Sequence, residues 1–208
     1  MSKDSSKESS KATKPPRAVK VDRSELDRIV DGAHHDPHAI LGPHPGKDGV
    51  TVRVLRPMAE AVVVVLDDGR RVALRHEHRG VWVGVLPVKK VPDYRLDVTY
   101  GGRVIPADDP YRFLPTLGEL DMHLVTEGRH EELWRVMGAH VHTYDTPQGE
   151  VTGVSFAVWA PNARGVRVTG SFNHWDSLAH PMRSLGSTGI WEIFIPNIGD
   201  GTVYKFAI

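Results

Sequence analysis

Gly49-Val50-Thr51-Val52-Arg53-Val54-Leu55-Arg56-Pro57-Met58-Ala59 is answered later in the same chain by Gly153-Val154-Ser155-Phe156-Ala157-Val158-Trp159-Ala160-Pro161-Asn162-Ala163. Working outward, Gly80-Val81-Trp82 returns as Gly189-Ile190-Trp191, Leu86-Pro87 as Ile195-Pro196, and Tyr94-Arg95-Leu96 as Tyr204-Lys205-Phe206. The landmarks keep their order, and the extra residues of the second copy gather around Ser171-Phe172-Asn173-His174-Trp175-Asp176. The chain therefore reads as two related modules, of which only the second carries an aromatic insertion. The last landmark lies close to Ile208, so the second module is expected to be truncated.

The period inside the repeat is two. Val50, Val52 and Val54 alternate with Thr51, Arg53 and Leu55, which is the signature of a strand. Val62 to Leu66 is an apolar run ending at Asp67-Asp68-Gly69, a hairpin turn signal. Further strands are expected over 71–75, 81–86, 94–100 and 103–106, then over 154–159, 166–171, 191–195 and 203–208. Short strands with turn signals at this spacing predict a mostly β chain of two tandem immunoglobulin-like β-sandwich modules, with a short helix before each. The expected organisation is a disordered tail over 1–22, a first module over 23–115, a linker over 116–138, and a second module over 139–208.

The tail is Ser, Lys, Thr and Pro without an aromatic residue, a composition that cannot offset the entropy of ordering. Ser24 with Asp27 reads as a capping pair for a helix burying Leu26, Ile29 and Val30, with Gly32 ending it. A second helix is expected over 129–137, ended by Gly138.

Composition excludes several function classes. Lys plus Arg balances Asp plus Glu at 26 each, which offers no electrostatic footprint for nucleic acid or an anionic membrane. There is no cysteine, so disulfide and thiolate chemistry are excluded. No apolar run approaches the roughly 20 residues of a bilayer span. The N-terminus lacks the apolar core of a secretory signal, so a cytoplasmic protein is expected.

Twelve histidines invite a metal reading, and His34, His35, His38 and His44 fall in one loop, HHDPHAILGPHP. Pro37 interrupts the helix that would put His34 and His38 on one face. No cysteine or carboxylate cluster completes a tetrahedral set. The loop is read as a rigid element whose imidazoles bond backbone or face another domain, with no metal and no cofactor. No Ser-His-Asp set, Gly-rich phosphate loop or paired carboxylates at strand ends stand out, so no catalytic residue is assigned.

The aromatic residues divide by phase. Phe156 keeps step with Val154 and Val158, and Trp191 with Ile193 and Ile195, so both belong to a core. Trp159 faces the other way, toward a module or domain interface. Trp175 sits on the inserted loop, where an indole offers a plane for stacking a sugar ring. Asn173, Asp176 and Lys205 would supply polar partners. The alternative is that Trp175 caps the sandwich and Asn173 fixes a turn.

GVSFAVWAPNA, GSFNHWD, GIWEIFIP and GTVYKFAI together resemble the carbohydrate-binding module of family 48. Upstream, HHDPHAILGPHP and DPYRFLPTLGELDMHLVTEGRHEELWRVMGAHV resemble the N-terminal region of bacterial 1,4-α-glucan branching enzymes. The resemblance implies a parent that cleaves an α-1,4 link and transfers the segment to a 6-hydroxyl of glycogen. Such enzymes use an Asp nucleophile and a Glu acid–base on a (β/α)8 barrel that follows the second module. It implies that the 208 residues alone are inactive, that α-glucan is the ligand, and that the barrel is the partner in cis. Sugar contacts carry over to Trp175 and Lys205, with Asn173 beside them; the family's further aromatic would lie beyond Ile208. Rival readings are a stand-alone glycogen-targeting protein and a purely structural sandwich.

Overall fold

The computed structural model describes residues 16–208. In chain order it contains helix α1 (Arg23–Val30) and strands β1 (Gly42–Gly46), β2 (Gly49–Leu55), β3 (Ala61–Leu66), β4 (Arg71–His78), β5 (Val81–Leu86), β6 (Tyr94–Tyr100) and β7 (Arg103–Ala107). Helix α2 (Glu119–Thr126) follows, then β8 (Gly138–Thr146), β9 (Gly149–Trp159), β10 (Arg167–Gly170), β11 (Arg183–Ser184), β12 (Ile190–Pro196) and β13 (Tyr204–Ala207). Every strand pair is antiparallel. The fold is thus mostly β with two short helices, as expected.

The first sheet runs β1-β2-β5-β4-β3-β6-β7. Strand β4 folds it over: Arg71–Leu74 pairs with β3, whereas Arg75–His78 pairs with β5. Val50, Val52, Val54, Val62, Val64 and Leu96 meet between the two halves as a closed core. The second half of the chain forms a four-stranded sheet, β11-β12-β9-β8, facing the pair β10-β13.

The internal repeat is a repeat of register. Val54 lies opposite Trp82 and Val158 opposite Trp191. Leu66 lies opposite Tyr94 and Gly170 opposite Tyr204. Even the turns correspond. Arg56 N donates to Gly80 O at 2.7 Å and Ala160 N to Gly189 O at 2.8 Å. The indole of Trp82 donates to Arg56 O at 3.2 Å and that of Trp191 to Ala160 O at 3.0 Å. Gly80 and Gly189 both have positive φ and both back onto a proline, Pro57 or Pro161, so closely that a Cβ would collide.

The modules share apolar interior. Leu26, Ile29 and Val30 of α1 pack with Leu55 and Val81 of the first sheet and with Val154, Phe156, Val166 and Val168 of the second half. Polar contacts reinforce this junction. His78 Nε2 meets Asp27 Oδ1 at 2.6 Å, Arg167 donates to Gly32 O at 3.1 Å, and Ser184 N donates to His35 O at 2.7 Å. The Asp108-Asp109-Pro110-Tyr111 break is a second bolt. Asp109 is fully buried and accepts from Tyr94 Oη at 2.7 Å and Tyr111 N at 3.1 Å. Asp108 accepts from Arg112 at 3.1 Å and from Asn197 of the second half at 3.0 Å.

Each central strand pair also buries a charge on its outer face. Arg53 bonds Glu77 at 2.7 Å and reaches Val19 O, so residues 17–21 lie along the sheet, with Val19 N donating to Thr51 Oγ1 at 2.9 Å. Glu192 bonds Arg183 at 2.8 Å and accepts from Thr116 Oγ1 at 3.0 Å, holding the linker on the second sheet. Leu117, Met122, Val125 and Met137 then cover Ala157, Leu185 and Ile190.

Four expectations need correction. The tail is expected to run to residue 22, yet Arg17 and Val19 hydrogen-bond Asp48, Thr51 and Arg53 beside β1 and β2; residues 1–15 lie outside the described part. Ser24 does not cap α1, which begins after Asp22 without a side-chain cap bond. The linker helix is α2 and not 129–137, because Gly118 N bonds Asp121 at 3.0 Å to start it and Gly128, at φ 67°, ends it. Within 129–137 only the 3-10 turn Leu133–Arg135 forms. The sequence HHDPHAILGPHP also holds β1, since Pro43 and Pro45 sit on an edge strand where a missing N–H is tolerated.

The loop histidines have separate partners. His34 Nε2 meets Glu25 at 2.8 Å and His44 Nε2 meets Leu41 O at 3.1 Å. His38 packs against the edge of Tyr111, and neither ring nitrogen has a partner among the described residues.

Two outcomes follow from this junction. Ile29→Ala should cost about 2–5 kcal/mol, as other buried Ile→Ala changes do. Because α1 serves both sandwiches, far- and near-ultraviolet circular dichroism should report one coincident thermal transition in the wild type; two separated transitions would contradict the shared core. For His38, burial, with Arg183 and His44 adding, holds the folded pKa at about 2, below the unfolded 6.5. Stability from its neutral form is therefore complete above pH 6.5 and lost as pH falls. His38→Phe should remove up to about 1.4 kcal/mol per pH unit of acid sensitivity between pH 6.5 and 5. Urea titrations across that range measure the slope.

Candidate functional site

The inserted loop leaves β10 at Gly170. A Cβ there would lie 2.4 Å from Val203 O and 2.7 Å from the Phe172 ring, so only glycine fits this close approach. Ser171–Asn173 then makes one 3-10 turn. His174 and Trp175 follow at φ 54° and 61°, both left-handed. For residues with a side chain this conformation costs about 1–3 kcal/mol each and persists only where the surroundings impose it.

Asn173 imposes it from inside. The residue is 8% exposed. Its Oδ1 accepts from Gly170 N at 2.9 Å and Thr169 Oγ1 at 3.3 Å. Its Nδ2 lies 3.1 Å from Val168 O, 3.3 Å from Asp176 O and 3.0 Å from His180 Nδ1. Trp175 N closes the turn by donating to Gly170 O at 2.9 Å. Phe172 turns inward and stacks on Phe156 with ring centroids 5.9 Å apart.

The turn drives Trp175 outward, where it stays 46% exposed. Lys205, opposite Thr169 in the β10–β13 pair, is exposed with its Nζ 5.9 Å from the indole centroid. That is the outer reach of a cation–π contact. Tyr204 and Phe206, its neighbours, pack toward Phe156 and the core. The structure thus brings Trp175 and Lys205 together on the surface. It places Asn173 beneath them with its amide engaged by the turn and by His180.

This arrangement offers a flat apolar face and an exposed ammonium donor. It suits a neutral ligand with C–H faces and hydroxyls. The buried carboxylates Asp108, Asp109 and Glu192 are each held in the contacts described above and serve the fold. Sequence reasoning missed His180. Its ring is tilted against Phe172 at 5.6 Å and carries the third acceptor for Asn173. The only signal for it was an imidazole a few residues past FNHWD.

Trp159 faces outward from the other sheet, 64% exposed, with its indole N–H given to Thr188 O at 3.2 Å. With Val125, Leu133, Met137 and Ile190 it lines an apolar cleft of about 360 Å³ beside the linker. Among the described residues no helix is long and apolar enough to cross a membrane.

Residues 22–111 match the family model for the alpha-1,4-glucan branching enzyme GlgB, N-terminal domain. Residues 136–208 match that for carbohydrate-binding module 48 (isoamylase N-terminal domain). The 1,4-alpha-glucan branching enzyme GlgB of Thermobifida fusca (strain YX) is 62% identical over 179 residues, covering 86% of this chain and 24% of that protein. Its counterpart in Rhodococcus jostii (strain RHA1) is 54% identical over 195 residues, covering 93% and 26%. The chain spans about a quarter of the length of these curated relatives. It belongs to the 1,4-alpha-glucan branching enzyme family, whose N-terminal region it carries.

Proposed function

We propose that these residues bind and position α-glucan for a branching enzyme without performing the transfer themselves. The observation that carries this reading is the outward indole of Trp175 beside Lys205, on a loop fixed from within. A pyranose ring would lie its C–H face on the indole and take a hydrogen bond from the ammonium. The relatives are named as 1,4-alpha-glucan branching enzymes, and the reaction expected of the whole protein is transfer of an α-1,4 segment to a 6-hydroxyl. Its carboxylate pair would be supplied in cis by a catalytic (β/α)8 barrel, a cytoplasmic protein of glycogen synthesis being the setting. The organisation proposed is a glucan-facing second module braced by the first.

A single aromatic stack contributes on the order of 1 kcal/mol beyond burial, about fivefold in affinity. Trp175→Ala should therefore migrate through glycogen-containing gels with about a fivefold weaker retardation constant than wild type, and Lys205→Ala with a smaller loss. Unchanged circular dichroism establishes that both variants are folded. Equal retardation of wild type and folded Trp175→Ala would reject the platform. The 208-residue chain incubated with amylose should produce no new α-1,6 linkages by NMR.

A further inference from the structure

We propose that His180 is the positioning residue of the Trp175 platform, acting through Asn173 without touching the ligand. The proposal rests on the reading that Trp175 receives glucan. Trp175 is 46% exposed, and it follows the left-handed pair His174–Trp175 that turns the chain outward. That pair is imposed by the Asn173 amide, whose Nδ2 carries two hydrogens and faces three acceptors. Two of these are backbone atoms: Val168 O belongs to β10, which is paired with β13, and Asp176 O to the loop itself. The third, His180 Nδ1, belongs to the return segment, whose own backbone is anchored separately: His180 O accepts from Val168 N at 3.2 Å and Pro181 bridges Arg167. His180 is thus the side chain that ties the loop interior to the segment after it, so that Asn173 is held from both sides, by β10 and by His180.

The bond defines its chemistry. Asn173 can donate only if Nδ1 bears a lone pair, so the ring must be neutral with its proton on Nε2. Burial, reinforced by Arg56 nearby, keeps it neutral, with a pKa of about 3. The lone pair is therefore present throughout the neutral range.

The test compares acceptor-free and acceptor-retaining variants of the full chain at pH 7.5. His180→Phe keeps the ring and its contact with Phe172 but has no lone pair; His180→Leu is a second acceptor-free form should the first not fold. His180→Asn returns an acceptor oxygen close to the position of Nδ1. Glycogen affinity electrophoresis reads binding, and 5-fluorotryptophan NMR, with Trp175→Phe for assignment, reads the loop with and without maltoheptaose. We expect the acceptor-free variant to be folded, to weaken glycogen retention about fivefold, and to split or broaden the Trp175 resonance. His180→Asn should recover retention to within about twofold and restore one sharp resonance. A folded acceptor-free variant that binds like wild type while Trp175→Ala has lost binding overturns the proposal. So does His180→Asn binding as weakly as the acceptor-free form. If Trp175→Ala itself binds like wild type, the platform reading fails. The fluorine spectrum then decides the positioning role alone: an unchanged Trp175 resonance without the acceptor overturns it, and splitting cured by Asn upholds it.

Discussion

The apolar stripe of an eight-residue helix holds this molecule together. A helix as short as α1 has little stability in water by itself. Its Leu26, Ile29 and Val30 acquire a place only by entering the seam between Leu55–Val81 on one side and Val154–Phe156 on the other. The dependence is mutual. Without the helix, the ends of both central strand pairs would face solvent along their apolar side. The buried Asp108–Asp109 corner and the Arg167, Ser184 and Asn197 bonds work on a junction that this packing has already closed.

The two copies correspond closely up to a definite point. Trp82 and Trp191, Gly80 and Gly189, Pro57 and Pro161 hold equivalent positions in equivalent turns. On the outer faces the copies reach one result with the charges exchanged. The first buries an arginine on β2 and uses it to clamp the segment before α1. The second buries a glutamate on β12 and uses it to clamp the linker. A buried charge alone would be costly, but each is met by an opposite charge and by hydrogen-bonding partners. The pairs contribute definition of where the covering segment lies more than net stability.

Legibility followed the same division. Most strands, the repeat and the apolar face of α1 are readable because period two and helical spacing report one-sided burial; β1, β8 and β11 are not among the strands expected from the sequence. Arg53 and Glu192 are not readable either, because charge in an alternating strand reads as outward until a covering segment is known. Leu133, Trp134, Val136 and Met137 look like a helix face and draw the expected helix to 129–137. The deciding elements, Asp121 at the start and Gly128 at the stop, belong to 118–128. At the loop, the indole and the lysine were legible from type and phase. The inward amide of Asn173 was open between two roles, and its bond to His180 is a tertiary contact that no spacing rule encodes.

The shared seam has a consequence for inheritance. The stretch that matches carbohydrate-binding module 48 begins at residue 136. Cut there, this copy would leave behind α1, Ile40 and Leu41, which help fill the interior around Phe156 and Val168. A lineage that wished to transplant the sugar-facing half would need to carry the whole front of the chain, or refill that interior with new side chains. With the helix wedged between them, the two modules form a single piece, and the spacing between them is not free to drift.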